Sequence, residues 1–274
     1  MRANDYRFIC ETVYRHSSIN LGADKGELVA GRVKKRLTAV RVPDIETYCN
    51  YLRGPDGSTE IQHLIDVIST NHTFFFRENS HFDALTEVIL PELLMRKKQV
   101  SWPRLRIWSA ACSSGEEPYS IGITLAEFMR DPNRHWDYEI EASDISHRIL
   151  EKATRGIYPD STADKVPEEM RRRYFQVGYG PQAGYRRVKP EIRQHVKFHQ
   201  LNLLEQAPPG SGNFHIIFCR NVMIYFDLPT QERLVQRLRS RLVPGGYLLV
   251  GHSESLNGIN HQMKPVRPAI YQNL

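Results

Sequence analysis

At 274 residues, with 41% hydrophobic and 25% charged residues, the chain has the composition of an ordinary globular protein with room for one large domain and a smaller one. The N-terminus, Met1-Arg2-Ala3-Asn4-Asp5-Tyr6, lacks the apolar core of a signal peptide and no apolar run approaches the ~20 residues of a membrane span, so a cytoplasmic protein without membrane insertion is expected. The net charge of +6 is uneven: residues 1–42 hold nine Lys or Arg against four Asp or Glu, and residues 171–197 hold eight against one, which favours an acidic partner, either nucleic acid or an acidic protein surface.

From Asp5 to about Gln62 the pattern is helical, with Leu28, Val29, Val33 and Leu37 at helical spacing and Arg32, Lys34, Lys35, Arg36 and Arg41 between them. Pro43-Asp44 and Gly54-Pro55-Asp56-Gly57 break this stretch into short helices, and a further helix spans Ile61 to Ile68, giving a basic helical domain over residues 1–70. The run Asn71-His72-Thr73-Phe74-Phe75-Phe76-Arg77-Glu78 cannot be amphipathic. It is expected to be enclosed where the helical domain meets the rest, with Asn71, Thr73 and Arg77 facing a shared cleft. The same residues also suit a helix capped by Thr73 and running through Phe82, Leu85, Val88 and Leu93, with Arg77 on the surface.

Leu105 to Cys112 reads as a buried strand, Ser113-Ser114-Gly115 as a tight loop, and Pro118 as the first turn of a helix. Open parallel α/β sheets hold nucleotide-like ligands at such a loop, where small side chains allow close approach to a helix N-terminus. Glu116 and Glu117 would repel a pyrophosphate, so the ligand should carry positive charge or hydroxyls, as S-adenosylmethionine does; the bland alternative is that both merely sit on the helix dipole. Tyr138 to Asp144 resembles the second strand, ending 29 residues beyond Gly115 in an acid that either accepts from ribose hydroxyls or caps a helix.

Residues 171–197 interrupt the alternation with a hairpin signal, Tyr174-Phe175-Gln176-Val177 and Tyr185-Arg186-Arg187-Val188 around a Gly-rich turn, read as an inserted antiparallel β-subdomain and a protein docking surface. Val196 to Leu203 reads as a third central strand. Phe214 to Cys219 is an apolar run ending in Arg220-Asn221, polar groups at a strand's C-terminal end. A helix from Pro229 to Leu242, stopped by Pro244-Gly245-Gly246, and strands at Tyr247 to Gly251 and Ala269 to Tyr271 complete the chain. Cys10, Cys49, Cys112 and Cys219 are scattered, which predicts reduced thiols and no metal site.

Assembled, Asn71-His72-Thr73, Phe75-Phe76-Arg77, Ser114 to Ser120, Phe218 to Asp227, and Pro244-Gly245-Gly246 with Gly251-His252-Ser253-Glu254 stand in the order of the chemotaxis receptor methyltransferases (the CheR family), which the chain resembles over nearly its whole length. The resemblance implies an α/β fold: a Rossmann-like class I methyltransferase sheet over residues 71–274, with a small all-helical N-terminal domain and the inserted β-subdomain. It implies S-adenosylmethionine-dependent methylation of receptor glutamates, with S-adenosylhomocysteine as product. By position the implied cofactor contacts are Asn71, Thr73, Arg77, Glu117, Asp144, Asn202, Leu203, Arg220 and Asn221, with Arg77 and Tyr225 as candidate catalytic residues. The implied partner is the acidic, cytoplasmic helical region of chemoreceptors, facing the basic N-terminal domain; in some members the β-subdomain also grips a peptide at the receptor's C-terminus. A nucleic-acid methyltransferase would suit the basic charge, but Arg220-Asn221-Val222-Met223 lacks the Asn/Asp-Pro-Pro-aromatic signature of amino-group methylation, so no nucleic-acid partner is expected. A non-enzymatic receptor-binding module is the reading of a different class, and the intact acidic pocket residues weigh against it.

Overall fold

A computed structural model describes residues 1–22, 24–100, 102–210 and 212–274. Four helices open the chain: α1 (Ala3–Ser17), α2 (Gly26–Val40), α3 (Ile45–Arg53) and α4 (Gly57–Ile68). Their apolar stripes, among them Ile9, Val13, Val29, Val33, Tyr48, Leu64 and Ile65, close a core of their own, and Ile145 from the sheet domain packs against it. Two of the basic residues of α2 are consumed inside this bundle. Arg36 grips buried Glu60 with two hydrogen bonds of 2.8 and 2.7 Å while the Tyr48 hydroxyl donates to the same carboxylate at 2.6 Å. Arg32 donates to the Ile68 carbonyl and to Thr70 Oγ1, capping α4 at its carbonyl end. The solvent-facing charge of this stretch is therefore Lys34, Lys35 and Arg41.

Residues 71–79 form turns rather than the Thr73-capped helix. The helix starts at Ser80 as α5 (Ser80–Ala84) and continues through a π turn, Leu85–Ile89, into α6 (Leu90–Val100). Left-handed backbone at Phe76 and Glu78 (φ +56° and +57°) sends the three phenylalanines different ways. Phe75 packs edge-on against Tyr158 and Phe175, Phe76 against Phe82, and Phe74 lines a cleft.

The remaining elements are β1 (Leu105–Ala110), α7 (Glu116–Phe128), β2 (Tyr138–Asp144), α8 (His147–Arg155), β3 (Ile157–Pro159), α9 (Asp160–Ala163), α10 (Glu168–Tyr174), β4 (Phe175–Val177), β5 (Tyr185–Val188), α11 (Pro190–Arg193), β6 (Val196–Gln200), β7 (Phe214–Cys219), α12 (Leu228–Arg239), β8 (Leu242–Val250), β9 (Met263–Arg267) and β10 (Ile270–Asn273). The large sheet has the order β6-β2-β1-β7-β8-β10-β9, parallel from β6 to β8, with β10 antiparallel to β8. Side chains alternate between two cores: Ile107, Ile216, Phe218 and Leu249 face one, and Trp108, Ile217, Cys219 and Leu248 the other. A sheet covered on both faces accounts for these near-continuous apolar runs.

The strand order reverses between β1 and β7, and Ala110 pairs with both Ser143 and Cys219. The residues that follow, Ala111, Asp144 and Arg220, thus emerge along one edge at the switch point where such sheets bind ligands. No described helix is long and apolar enough to cross a membrane.

Three expectations are corrected. The run beginning at Val196 is an edge strand, β6, that ends at Gln200. Pro244-Gly245-Gly246 lies inside β8, where the pairing with β7 shifts register and Gly245 takes φ +75°; α12 ends earlier, at Arg239. The small sheet has three strands, β3-β5-β4, and runs from Ile157 to Val188, not over residues 171–197, because Ile157-Tyr158-Pro159 pairs with β5 from across the sequence while Val196 and Lys197 belong to the large sheet. Of the eight basic residues of 171–197, these four are answered by carboxylates outside that window: Arg171 pairs with Asp164, Arg172 with Glu168, Arg173 with Glu127 and Glu169, and Arg186 with Asp160.

Candidate active site

One cleft at the switch point is lined by all ten residues singled out from the sequence: Asn71, Thr73, Arg77, Glu117, Asp144, Asn202, Leu203, Arg220, Asn221 and Tyr225. Ala111, Cys112 and Ser113 form the part of the floor that follows β1. The loop's glycine does different work from that expected. Gly115 is not among the lining residues, and a Cβ there would stand 2.9 Å from the Ala153 Cβ and 3.0 Å from the Tyr158 hydroxyl. Close approach at Gly115 is by α8 and β3, and the Tyr158 hydroxyl donates to the Ser114 carbonyl at 2.7 Å, so the inserted sheet buttresses the loop. Ala111 and Ser113 carry left-handed backbone instead (φ +65° and +50°), as residues at functional sites often do.

The two glutamates diverge. Glu116 turns away, accepting from Ser114 Oγ at 2.7 Å, while Glu117 faces the cleft and accepts from Ser109 Oγ at 2.7 Å and Arg220 Nη1 at 3.1 Å. Burial pushes the Glu117 carboxyl above its ordinary range despite Arg220. Asp144 is buried as well; Ser113 N–H donates to Oδ2 at 2.8 Å and Ser146 N–H to Oδ1 at 3.0 Å. These two bonds occupy half of its roughly four acceptor positions. Desolvation raises its pKa too, the backbone donors opposing.

Arg220 sits under the cleft with its guanidinium shared by two carboxylates: Nη1 to Glu117, and Nη2 to Glu78 Oε2 at 3.1 Å and to the Arg77 carbonyl. Glu78 Oε1 also accepts from Asn221 Nδ2 at 3.1 Å, and these donors outweigh its burial and hold it below the usual range. Asn221 takes φ +58°, a conformation secured by Glu254, whose carboxylate accepts N–H groups from Gly251, Asn221, Met223 and Ile224. Glu78 and Glu254 escaped the sequence reading: each lies in a quoted motif, but its partners are distant in the chain.

The helical domain closes the cleft's rim. Asn20 N–H donates to the Tyr225 carbonyl at 2.8 Å, the Tyr14 hydroxyl to Asp227 Oδ2 at 2.8 Å, and Asn202 Nδ2 to the His16 carbonyl at 3.1 Å. The Asn202 side chain is thus engaged in the interdomain contact. Arg77 stands otherwise: half-buried, its guanidinium donates to the His72 carbonyl at 2.7 Å, and no carboxylate pairs with it among the described residues.

This donor set fits S-adenosylmethionine. Two buried carboxylates, Glu117 and Asp144, suit an ammonium or sulfonium and ribose hydroxyls; Arg77 offers unpaired donors to a carboxylate; Phe74, Leu203 and Phe226 supply apolar wall. Asp144→Ala is expected to weaken S-adenosylhomocysteine binding about ten- to a hundredfold, the equivalent of ~1.5–3 kcal/mol for a charge-assisted hydrogen bond, with the fold retained. Calorimetric titration checks it. In the unmutated chain the affinity should fall on acidification, beginning above the range of an ordinary carboxylate, because protons compete with a ligand that needs Glu117 and Asp144 ionised and both are raised by burial. An affinity flat down to pH 4.5, the ordinary glutamate value, would contradict this.

The family model described as "CheR methyltransferase, SAM binding domain" matches residues 71–271, and "CheR methyltransferase, all-alpha domain" matches residues 4–69. The chain is 41% identical over 269 residues to chemotaxis protein methyltransferase 2 of Pseudomonas aeruginosa, covering 97% of this chain and 92% of that protein. It is 39% identical to the chemotaxis protein methyltransferase of Borreliella burgdorferi (96% and 92% covered) and 40% identical to that of Salmonella typhimurium (93% and 84%). With both domains matched over nearly their full length, the chain belongs to the CheR methyltransferase family.

Proposed function

We propose that this chain methylates glutamate side chains of chemoreceptors in the cytoplasm, producing glutamyl methyl esters and S-adenosylhomocysteine. The observation that carries the reading is the cleft itself, where two buried carboxylates suited to a cationic ligand share the lining with an arginine that has no carboxylate partner among the described residues. S-adenosylmethionine held by Glu117 and Asp144 would supply an electrophilic methyl group to a carboxylate oxygen and would leave as a neutral thioether. A substrate glutamate with a pKa near 4.3 is already ionised at neutral pH, so the protein needs no general base. Its contribution is alignment and exclusion of water, and near-attack positioning is worth up to ~7–11 kcal/mol in the best intramolecular models. Arg77 orients a carboxylate, Tyr225 lends a hydroxyl beside the transferring methyl, and Asn71, Thr73, Asn202, Leu203 and Asn221 line the cofactor's bed.

The product tests the reading. Label transferred from methyl-labelled cofactor to chemoreceptor should be released as methanol by mild alkali; alkali-stable label would mean N-methylation instead.

The basic helical domain is proposed to face the receptor's acidic helices, supported by Lys25 and Leu28 at the cleft and by exposed Lys34, Lys35 and Arg41 on and just after α2. Reversing Lys34, Lys35 and Arg41 should lower receptor methylation at low salt several-fold with S-adenosylhomocysteine affinity unchanged, and added salt should erase the difference, since screening acts over about 8–10 Å. Equal salt dependence in both proteins would assign these charges to solvation. Arg32 and Arg36 are excluded from that experiment because their loss would damage the bundle. For the inserted sheet, the exposed Tyr179 and Tyr185 and the edge strand β4 support docking of a receptor C-terminal peptide.

A further inference from the structure

We propose that Glu78, His81 and His252 form a binding site for a divalent transition-metal cation of the Zn²⁺ class, outside the cofactor cleft and joined to its floor through the bonds of Glu78 to Arg220 and Asn221. His81 is only 1% exposed, yet neither of its ring nitrogens has a hydrogen-bond partner. A buried imidazole carries both a donor and an acceptor, and leaving both unmet is costly enough to call for a partner. What surrounds it is chemically selective. His81 Nδ1 lies 3.5 Å from Glu78 Oε2, and the His252 ring stands 4.7 Å from the His81 ring, steeply inclined to it. One donor atom from each of the three residues lies within 4.8 Å of the others. Ligand atoms around a tetrahedral Zn²⁺, at ~2.0–2.2 Å from the metal, stand roughly 3.5 Å apart, so closure needs side-chain rotations of about an ångström. Two imidazoles and one carboxylate favour Zn²⁺, Co²⁺ or Ni²⁺ over Mg²⁺ or Ca²⁺, which prefer oxygen alone.

The surroundings admit and tolerate a cation. Exposed His252 opens onto a groove lined also by Ser80, Glu254 and Tyr271, and Ser80 Oγ, 3.0 Å from His252 Nε2, orients the ring. Glu78 Oε2 also accepts from Arg220 Nη2 and the His252 N–H, both at 3.1 Å, but the Arg220 charge is already answered a second time by Glu117. Glu78 and His81 are one turn apart at the start of α5, whereas His252 follows β8, which is why the sequence displayed no ligand spacing. The site rests on nothing in the methyl-transfer reading.

The test uses the full, tag-free chain, reduced and stripped with a chelator. Titration with ZnCl₂ should show one ion per chain, and CoCl₂ should give the visible bands of a low-coordinate Co²⁺ site. His252→Ala, at an exposed position that does not threaten folding, should weaken Zn²⁺ binding at least tenfold and abolish the Co²⁺ bands; His81→Ala should do the same, and if it fails to fold, His252→Ala decides alone. Absence of Zn²⁺ binding in the unmutated chain, or binding and Co²⁺ bands unchanged in His252→Ala, overturns the proposal.

Discussion

Arg220→Met should destabilise the protein by about 3–5 kcal/mol at neutral pH, the usual cost of removing one partner of a buried ion pair. The arginine side chain is 2% exposed, and its removal leaves Glu117 and Glu78 as uncompensated charges beneath the cleft. Methionine preserves the packed aliphatic stem, so the loss reports charge rather than a cavity. The pH dependence separates this cause from simple misfit. Without the guanidinium, Glu117, already raised by burial, rises further above its unfolded value, and Glu78 loses a donor that holds it below its own; both changes disfavour the ionised form, so the variant loses stability relative to the parent as pH rises. The deficit should therefore be largest near neutrality and shrink on acidification. Adding Glu78→Gln should recover part of it. Urea denaturation of the single and double variants across pH measures all three effects, and a deficit below ~1 kcal/mol independent of pH would deny that Arg220 is an electrostatic keystone.

How far the site was legible in the sequence depends on the range of the interaction involved. Asp144 and Arg220 could be found because strand periodicity locates strand ends, and strand ends of a parallel sheet converge. Register with β1 then brings their neighbours together. Glu78 and Glu254 could not be found this way: the partners of Glu78 depend on how the turn at residues 71–79 folds against the end of β7, and those of Glu254 on how the segments after β7 and β8 meet. Gly115 illustrates the opposite error. A glycine in a tight loop indicates close approach without saying what approaches, and here it is Ala153 and Tyr158. The same holds for the basic runs. Counting charge along residues 171–197 overlooks Asp160, Asp164, Glu127 and Glu168, which answer four of its eight cations from outside the window. The edge position of β6 was hidden because a strand's place in a sheet is set by which strands pair beside it, here β2 alone, and not by its own composition.

Arg77→Ala is expected to lower kcat/KM for receptor methylation by about ten- to a hundredfold or more while leaving stability nearly unchanged. The contrast with Arg220 is the reason. Both arginines line the cleft, but Arg220 is committed to two carboxylates, whereas the Arg77 guanidinium spends one hydrogen bond on the His72 carbonyl and lies near the Phe74 ring, 5.9 Å from its centroid. Among the described residues its remaining donors have no partner, which leaves them for an anion, and a charge-assisted hydrogen bond of ~1.5–3 kcal/mol sets the expected loss. A guanidinium bonded tightly to the attacking oxygen would blunt it, so the role proposed for Arg77 is to hold the other oxygen or the cofactor's own carboxylate. Arg77→Lys distinguishes this from simple charge. A lysine restores the positive charge but lacks the planar fork, and it should recover KM more than kcat. Tyr225→Phe, which keeps the ring and the carbonyl that accepts from Asn20, should lower kcat with little change in S-adenosylhomocysteine affinity. If Arg77→Ala instead unfolds at the same denaturant concentration as Arg220→Met, Arg77 belongs to the scaffold, and the anion that orients the reaction must be held elsewhere.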